Sequence, residues 1–191
     1  GATDITVFPF PQRIVFACYG FIAYLLKLVL PLQLCAYYAY PIKTGAEMPP
    51  QYYFYVLLFL GIVAYVLYSL RFTKKIVLGL GFFAVTVFLV LQLLPVGGAI
   101  MADRYSYIPS IGIFYLAGEG FYWLWNKNKS ASGLKFPAIL LLISAVIFFS
   151  VKTNARCGIW KNGMTLWENV ISQYQTIPQA YINRGVIFAK E

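Results

Sequence analysis

Apolar residues in this chain are gathered into blocks. Five runs, at 14–30, 51–70, 76–94, 107–125 and 136–151, measure 17, 20, 19, 19 and 16 residues. Lys27 and Glu119 are the charged residues inside them, and the other 19 of the 21 charged side chains fall between the runs. A helix rises about 1.5 Å per residue, so about 20 apolar residues cross a hydrocarbon core of about 30 Å. The pattern predicts five transmembrane helices, the first and last extended into their flanks. Pro31 stops the first, Pro95-Val96-Gly97-Gly98 follows the third, and Pro137 suits the first turn of the fifth. Tyr37, Tyr38, Tyr40, Tyr52, Tyr53 and Tyr55 crowd one set of ends, with Tyr105, Tyr107, Trp123 and Trp125 flanking the fourth run. Such rings favour the headgroup level and read as two interfacial belts.

Composition removes the soluble alternatives. Of 191 residues, 61% are hydrophobic and 11% charged, against roughly 45–50% apolar and about 25% charged in soluble domains. Histidine is absent, which excludes a Ser-His-Asp triad, a His-zinc site or a His general base within the chain. The 15 Lys and Arg outnumber the 6 Asp and Glu, for a net charge of +9. These cations are scattered over several loops, which speaks against nucleic acid and suits the anionic inner leaflet. Arg71, Lys74 and Lys75 follow the second run, and Lys127, Lys129 and Lys135 follow the fourth. Positive-inside logic puts those loops in the cytoplasm. Residues 1–13 are then inside, and loops 31–50 and 95–106 and the tail from Lys152 are outside. Lys152, Arg156 and Lys161 on the tail weigh the other way. The acceptor sequence Asn128-Lys129-Ser130 falls in a cytoplasmic loop and reads as chance.

Cys18, Cys35 and Cys157 are odd in number and fit no metal motif. Cys35 and Cys157 share the outer side, so a disulfide is open to them, but free thiols fit the count better. The start, Gly-Ala-Thr-Asp, has no basic segment or cleavage site of a signal peptide, and the end falls within a helical pattern. Both suggest a piece of a longer protein. The tail differs in kind from residues 1–155. Over 156–191 it predicts two helices, 163–174 and 178–191. Leu166, Trp167, Val170, Ile171 and Tyr174 give the first an apolar face. Tyr181, Gly185 and Phe188 share a face of the second, where a small residue between aromatics admits a close neighbour. This is how a tetratricopeptide repeat opens.

The densest polar site is Met101-Ala102-Asp103-Arg104-Tyr105-Ser106-Tyr107-Ile108-Pro109-Ser110, leading into the fourth span from outside. The planar fork of Arg104 suits a phosphate, Asp103 can hold that fork, and Tyr105 and Tyr107 can line a lipid or sugar path. An Asp-Arg pair that merely anchors a loop is the plainer reading. Lys27, near the outer end of the first span, either snorkels to the interface or joins Arg104 and Asp103 in neutralising a phosphate. Glu119 is an intramembrane carboxylate, a functional candidate in principle; pairing with Lys75 or Lys127 is the structural reading. Asp4 and Glu47 have no evident partner.

Several of these stretches carry a family resemblance. The run Ala102-Asp103-Arg104-Tyr105-Ser106-Tyr107-Ile108-Pro109-Ser110-Ile111-Gly112 is similar to a signature of membrane proteins that join a multi-span region to C-terminal tetratricopeptide repeats. So are Cys18-Tyr19-Gly20 with Tyr24-Leu25-Leu26-Lys27-Leu28, Pro31 and Tyr40-Pro41. So too are Trp160, Leu166-Trp167-Glu168 and Ala180-Tyr181-Ile182-Asn183-Arg184-Gly185. The bacterial members resemble the eukaryotic transmembrane-and-tetratricopeptide O-mannosyltransferases of the endoplasmic reticulum. The resemblance covers nearly everything from Arg13 on. It implies a GT-C glycosyltransferase fold and a polyprenyl-phosphate-linked sugar as donor. It also implies a catalytic carboxylate on an outer loop of the absent N-terminal half, so no general base is assigned here. Arg184 stands where such repeats place leucine, which implies a capping or junction unit.

The expectation is therefore an all-α chain: a transmembrane bundle of about five spans, followed by the start of an extracytoplasmic helical-repeat segment, in a bacterial inner membrane. Arg104, Asp103, Lys27, Tyr105 and Tyr107 are its lipid-phosphate or substrate candidates, with no metal and no certain cofactor. Its expected partners are membrane lipid, the polyprenyl-phosphate sugar, and a protein acceptor or partner reached through downstream repeats. A membrane anchor for an interaction domain is the alternative. A transporter rests on Glu119 alone, without the internal repeat such folds show.

Overall fold

The computed structural model describes residues 8–40, 49–91, 93, 98–127 and 135–190. Asp4, Lys43, Glu47, the Asn128-Lys129-Ser130 sequence and most of the turn at 95–98 lie outside them. Seven α-helices follow in chain order: α1 Phe10–Val29, α2 Gln51–Ser69, α3 Lys75–Phe88, α4 Ser110–Lys127, α5 Lys135–Ile159, α6 Gly163–Gln173 and α7 Pro178–Phe188. A short 3-10 helix, Asp103–Ser106, precedes α4. The described residues contain no named strand, and the chain is all-α.

Local sequence explains the helix ends. Pro11 lies in the first turn of α1, and Pro178 opens α7, where a missing N–H costs nothing. Asn162 caps α6, its side chain accepting from the Thr165 N–H at 2.9 Å. After α1 the chain turns through Gln33, whose φ of 48° is left-handed. Lys27 Nζ donates to the Leu32 and Gln33 carbonyls at 3.2 and 3.3 Å, holding this turn against the helix end.

Three helices, α1, α2 and α5, are long and apolar enough to cross a membrane. α3 has 14 residues and ends at Phe88, short of the expected run to Leu94. α3 and α4 pack antiparallel, with Gly79 against Gly112. A Cβ on Gly79 would lie 2.8 Å from the Gly112 carbonyl oxygen, so the backbones approach closely because neither residue has a side chain. One turn before Gly79, Lys75 forms a salt bridge with Glu119.

α5 exposes apolar side chains nearly all round, and α2 does so except along the face of Tyr52, Tyr55, Phe59 and Ile62. α1 does not. Phe16, Ala17, Cys18 and Gly20 to Tyr24 are buried in succession. Phe16 meets Tyr52, Tyr19 meets Tyr52 and Tyr55, and Phe21 meets Phe59 and Phe83, all with ring centroids 4.9–5.5 Å apart. Tyr24 accepts from the Ala102 N–H at 3.1 Å. These partners belong to the first half of α2, the second half of α3 and the approach to α4. In the up-and-down run of α2, α3 and α4 they occupy the same half of the bundle.

That half carries a second layer. Residues 31–40 fold back along α1 and pair with 98–103. Tyr38 N–H donates to the Met101 carbonyl at 3.1 Å, and Ile100 N–H to the Tyr38 carbonyl at 2.9 Å. Tyr37 Oη donates to the Gly98 carbonyl at 2.6 Å. Helix α6 lies on this layer, Trp167 beside Tyr37 and Tyr174 beside Tyr38. The hydrophobic core thus joins α1, loop 31–40, Phe83, Val87 and Met101 to Val170, Ile177 and Ala180 of the tail. Of the tyrosines expected in an interfacial belt, Tyr38 is buried in this core, and Tyr40, Tyr52 and Tyr55 pack half-buried against it.

Both tail helices form close to the expected bounds. The packing face of α7 differs: Ile177, Ala180 and Ile187 turn inward, while Tyr181 and Phe188 are exposed and nothing lies within 4 Å of a Cβ on Gly185. The boundary expected at 155/156 falls inside α5, which continues to Ile159.

Candidate functional site

The polar site sits where α5, loop 31–40 and the 3-10 helix meet. Asp103 is its hub. Tyr38 Oη donates to Asp103 Oδ1 at 2.8 Å, and Arg156 Nη2 donates to Oδ2 at 3.1 Å. Both members of the Asp103–Arg156 pair are largely buried. Burial pushes the Asp103 carboxyl above its ordinary range. The Tyr38 hydroxyl and the Arg156 and Lys27 charges pull in the opposite direction. The Tyr38 hydroxyl is raised in turn, first by burial and then by the neighbouring carboxylate. Arg156 also donates through Nη1 to the Leu34 carbonyl at 2.9 Å and to Asn169 Oδ1 at 3.2 Å. Its guanidinium is thus engaged on both arms.

Beside this hub is a cavity of about 400 Å³. Pro31 and Leu34 line it from the loop, and Asp103, Arg104, Ser106 and Tyr107 from the 3-10 turn. Helix α5 adds Phe149, Lys152, Thr153 and Arg156, and Trp160 follows just past its end; the spacing of three, four and seven from Phe149 keeps the helical four on one face. Three cations therefore border the cavity against one carboxylate. Arg156 is committed to Asp103. Arg104 lies across the Tyr105 ring, 4.8 Å from its centroid, with Nη2 donating to the Tyr105 hydroxyl at 3.1 Å. Lys152 stands over Phe148 at 5.8 Å. Among the described residues neither Arg104 nor Lys152 has a carboxylate partner. Two cations over apolar walls suit an anionic head on an apolar stem.

The candidates read from sequence are thus brought together in part. Asp103, Arg104 and Tyr107 line the cavity, Tyr107 almost fully exposed. Tyr105 supports Arg104 from behind. Lys27 is not a lining residue: its ammonium binds the 32 and 33 carbonyls and lies 4.8 Å from the Tyr38 ring centroid. From there it acts on Asp103 through its charge. Asp103 braces Arg156, not Arg104. Lys152, Arg156 and Trp160 are the contributors that sequence reading left out. Their signal was the four-residue spacing of Lys152 and Arg156 just past the fifth apolar run. Glu119 and Lys75 pair with each other, away from this site. The thiols of Cys18, Cys35 and Cys157 are free, the first two buried. Burial raises the Cys35 thiol, which donates to the Tyr37 carbonyl at 3.2 Å.

No family model matches the chain, and no solved structure matches it. Among curated proteins it is similar to the protein O-mannosyl-transferase Tmtc1 of Drosophila melanogaster, at 30% identity over 112 residues. The match takes in 56% of this chain and 13% of the fly protein. Three helices fit to cross a bilayer and this likeness together mark a membrane protein related, over that stretch, to a membrane glycosyltransferase.

Proposed function

We propose that the chain is part of an integral-membrane glycosyltransferase that takes its sugar from a polyprenyl phosphate and delivers it to a protein or glycan outside the cytoplasm. The observation that carries this reading is the cavity at the end of α5, where Arg104 and Lys152 stand over walls that are mostly apolar. A lipid phosphate needs cations for its head and apolar surface for its first carbons. A water-soluble nucleotide would leave those walls unused. Fixed positive charge beside the leaving phosphate would also stabilise charge that grows as the sugar departs. Arg104 and Lys152 are the proposed phosphate ligands, with Tyr107 and Trp160 along the sugar or lipid path. Lys27 and Asp103 hold the walls, and the catalytic base is assigned to no residue of this chain.

The arrangement of α1 bears on topology. Length and composition allow it to cross the bilayer, but from Phe16 to Tyr24 its partners belong to one half of the bundle. We therefore assign the crossing to α2, α3, α4 and α5, with α1 lying along the outer end beneath α6. Both the start of α1 and the tail are then extracytoplasmic, and 71–75 and 128–134 cytoplasmic.

The test uses full-length protein in membranes with polyprenyl-phosphate sugars as donors. Wild type should transfer sugar, Arg104→Ala and Lys152→Ala should each lose at least about ten-fold, the worth of one charge-assisted hydrogen bond, and Lys27→Gln should lose less. Transfer that survives both cavity changes would leave an enzyme with its donor site elsewhere. No transfer from any donor would favour the anchor reading, for which the exposed Tyr181, Ile182 and Val186 of α7 provide a contact surface.

A further inference from the structure

The tail helix α6 reaches the cavity without lining it. Asn169 and Gln173 are four residues apart and share one face of α6. Asn169 Oδ1 accepts from Arg156 Nη1 at 3.2 Å. Gln173 Nε2 donates to the Leu34 carbonyl at 3.0 Å, the same oxygen that accepts from Arg156 Nη1 at 2.9 Å. Gln173 Nε2 also lies 3.4 Å from Asn169 Oδ1. Leu34, Asp103 and Arg156 are cavity walls from three different parts of the chain. They are joined to one another by Arg156, and Arg156 is joined to the tail by Asn169. Trp167 and Tyr174, on the same helix, rest on Tyr37 and Tyr38 of the loop that carries Leu34.

We infer that Asn169 and Gln173 are positioning residues for the cavity, so that the docked state of the tail sets the affinity of the anion site. Arg156 has two directions open to it, toward Asp103 and the tail or into the cavity. The Asn169 acceptor and the Leu34 carbonyl hold it in the first. The cavity then keeps Arg104 and Lys152 as its free cations and keeps the spacing between loop and α5. When α6 lifts away, Leu34 loses a donor, Arg156 loses an acceptor, and two walls lose their common brace. A protein bound along the tail would thereby reach the membrane site through one side-chain relay. The inference rests on reading the cavity as a lipid-phosphate site.

The experiment measures binding of farnesyl phosphate to the whole chain in phosphatidylcholine nanodiscs. Wild type should bind, and Asn169→Ala/Gln173→Ala should bind about ten-fold more weakly, as expected for two lost hydrogen bonds. Asn169→Asp, which keeps the acceptor, should restore most of the affinity when Gln173 is intact. A merely structural role for α6 would not discriminate alanine from aspartate in this way. Equal binding by wild type and the double variant overturns the inference and leaves the cavity reading intact. Absence of binding by wild type overturns both. If the double variant does not fold, Asn169→Ala decides, since it removes the tail acceptor of Arg156 and leaves the bond from Gln173 to the Leu34 carbonyl: weaker binding supports the relay, and unchanged binding overturns it.

Discussion

The two ion pairs among the described residues sit at opposite ends of the bundle and do different work. Asp103 and Arg156 are each 17% exposed at the side chain, while Lys75 and Glu119 are 54% and 28% exposed. The buried pair belongs to a network: a tyrosine hydroxyl, a backbone carbonyl and an asparagine complete its hydrogen bonds. The exposed pair stands on its own contact. A charge taken out of water needs every lone pair and proton satisfied, and losing one partner strands the other. A pair that keeps an open side can be partly re-solvated when broken, and strands less charge. Burial, not proximity, makes the outer pair structural. The inner end is held by backbone approach at Gly79 and Gly112, to which the charges add little.

The largest effect expected follows from breaking the outer pair on one side. Arg156→Ala leaves Asp103 buried without its cation and should cost about 2–3 kcal/mol in thermal unfolding of the solubilised protein. Replacing both residues, as Asp103→Leu/Arg156→Met, should cost less than either single change. A double variant worse than both singles would show that the pair stabilises by attraction rather than by mutual satisfaction. Next comes the glycine contact. Gly79→Val drives a side chain into the Gly112 carbonyl and should cost about 1–3 kcal/mol, more than any change at the neighbouring ion pair.

A smaller effect concerns pH. Because burial raises Asp103, its carboxyl takes up a proton above the ordinary carboxylate range as pH falls. The folded state then holds more protons than the unfolded one in that window. This group's contribution to stability is therefore largest at low pH and declines as pH rises through the window. Protonation also removes the carboxylate charge beside the cavity, so farnesyl phosphate should bind more tightly on acidification. Asp103→Asn should remove that inflection from both stability and binding. Smallest of all is the inner pair: Glu119→Gln should leave the unfolding temperature within error at physiological salt, where exposed charges are screened. A clear loss would mean this pair is buried in the membrane, and the comparison would need to be redrawn.

Helix ends were the most legible feature of the sequence. Pro31, Pro137, Gly163 and Pro178 act through local backbone chemistry, and α1, α5, α6 and α7 stop or start within a few residues of them. Partners across the fold were less legible. Glu119 found Lys75, one of the two partners that its place toward the cytoplasmic side had put forward. Arg104 and Asp103 were named together, yet they serve different ends because the 3-10 turn sends Asp103 inward and Arg104 outward. Arg156 was read only as a tail charge bearing on orientation, because the apolar pattern ends at Val151, although hydrogen bonding carries α5 through Lys152 and Arg156 without regard to polarity. In α7 the aromatic residues drew attention to one face, while Ala180 is what lets that helix approach its neighbour.

Helix length also sets depth. α5 has 25 residues, about 37 Å, and α3 has 14, about 21 Å, against a hydrocarbon core of about 30 Å. On the topology proposed above, the bilayer would compress beside α3, while α5 would overshoot its outer edge by about a turn or more. Arg156 to Ile159 fall in that overshoot, with Lys152 and Thr153 just beneath it. The cavity they help to build would then lie close to the level of lipid phosphates, with its apolar lower wall continuous with the acyl chains. An amphiphile can enter sideways from its own layer, keeping its head wet and its tail dry throughout.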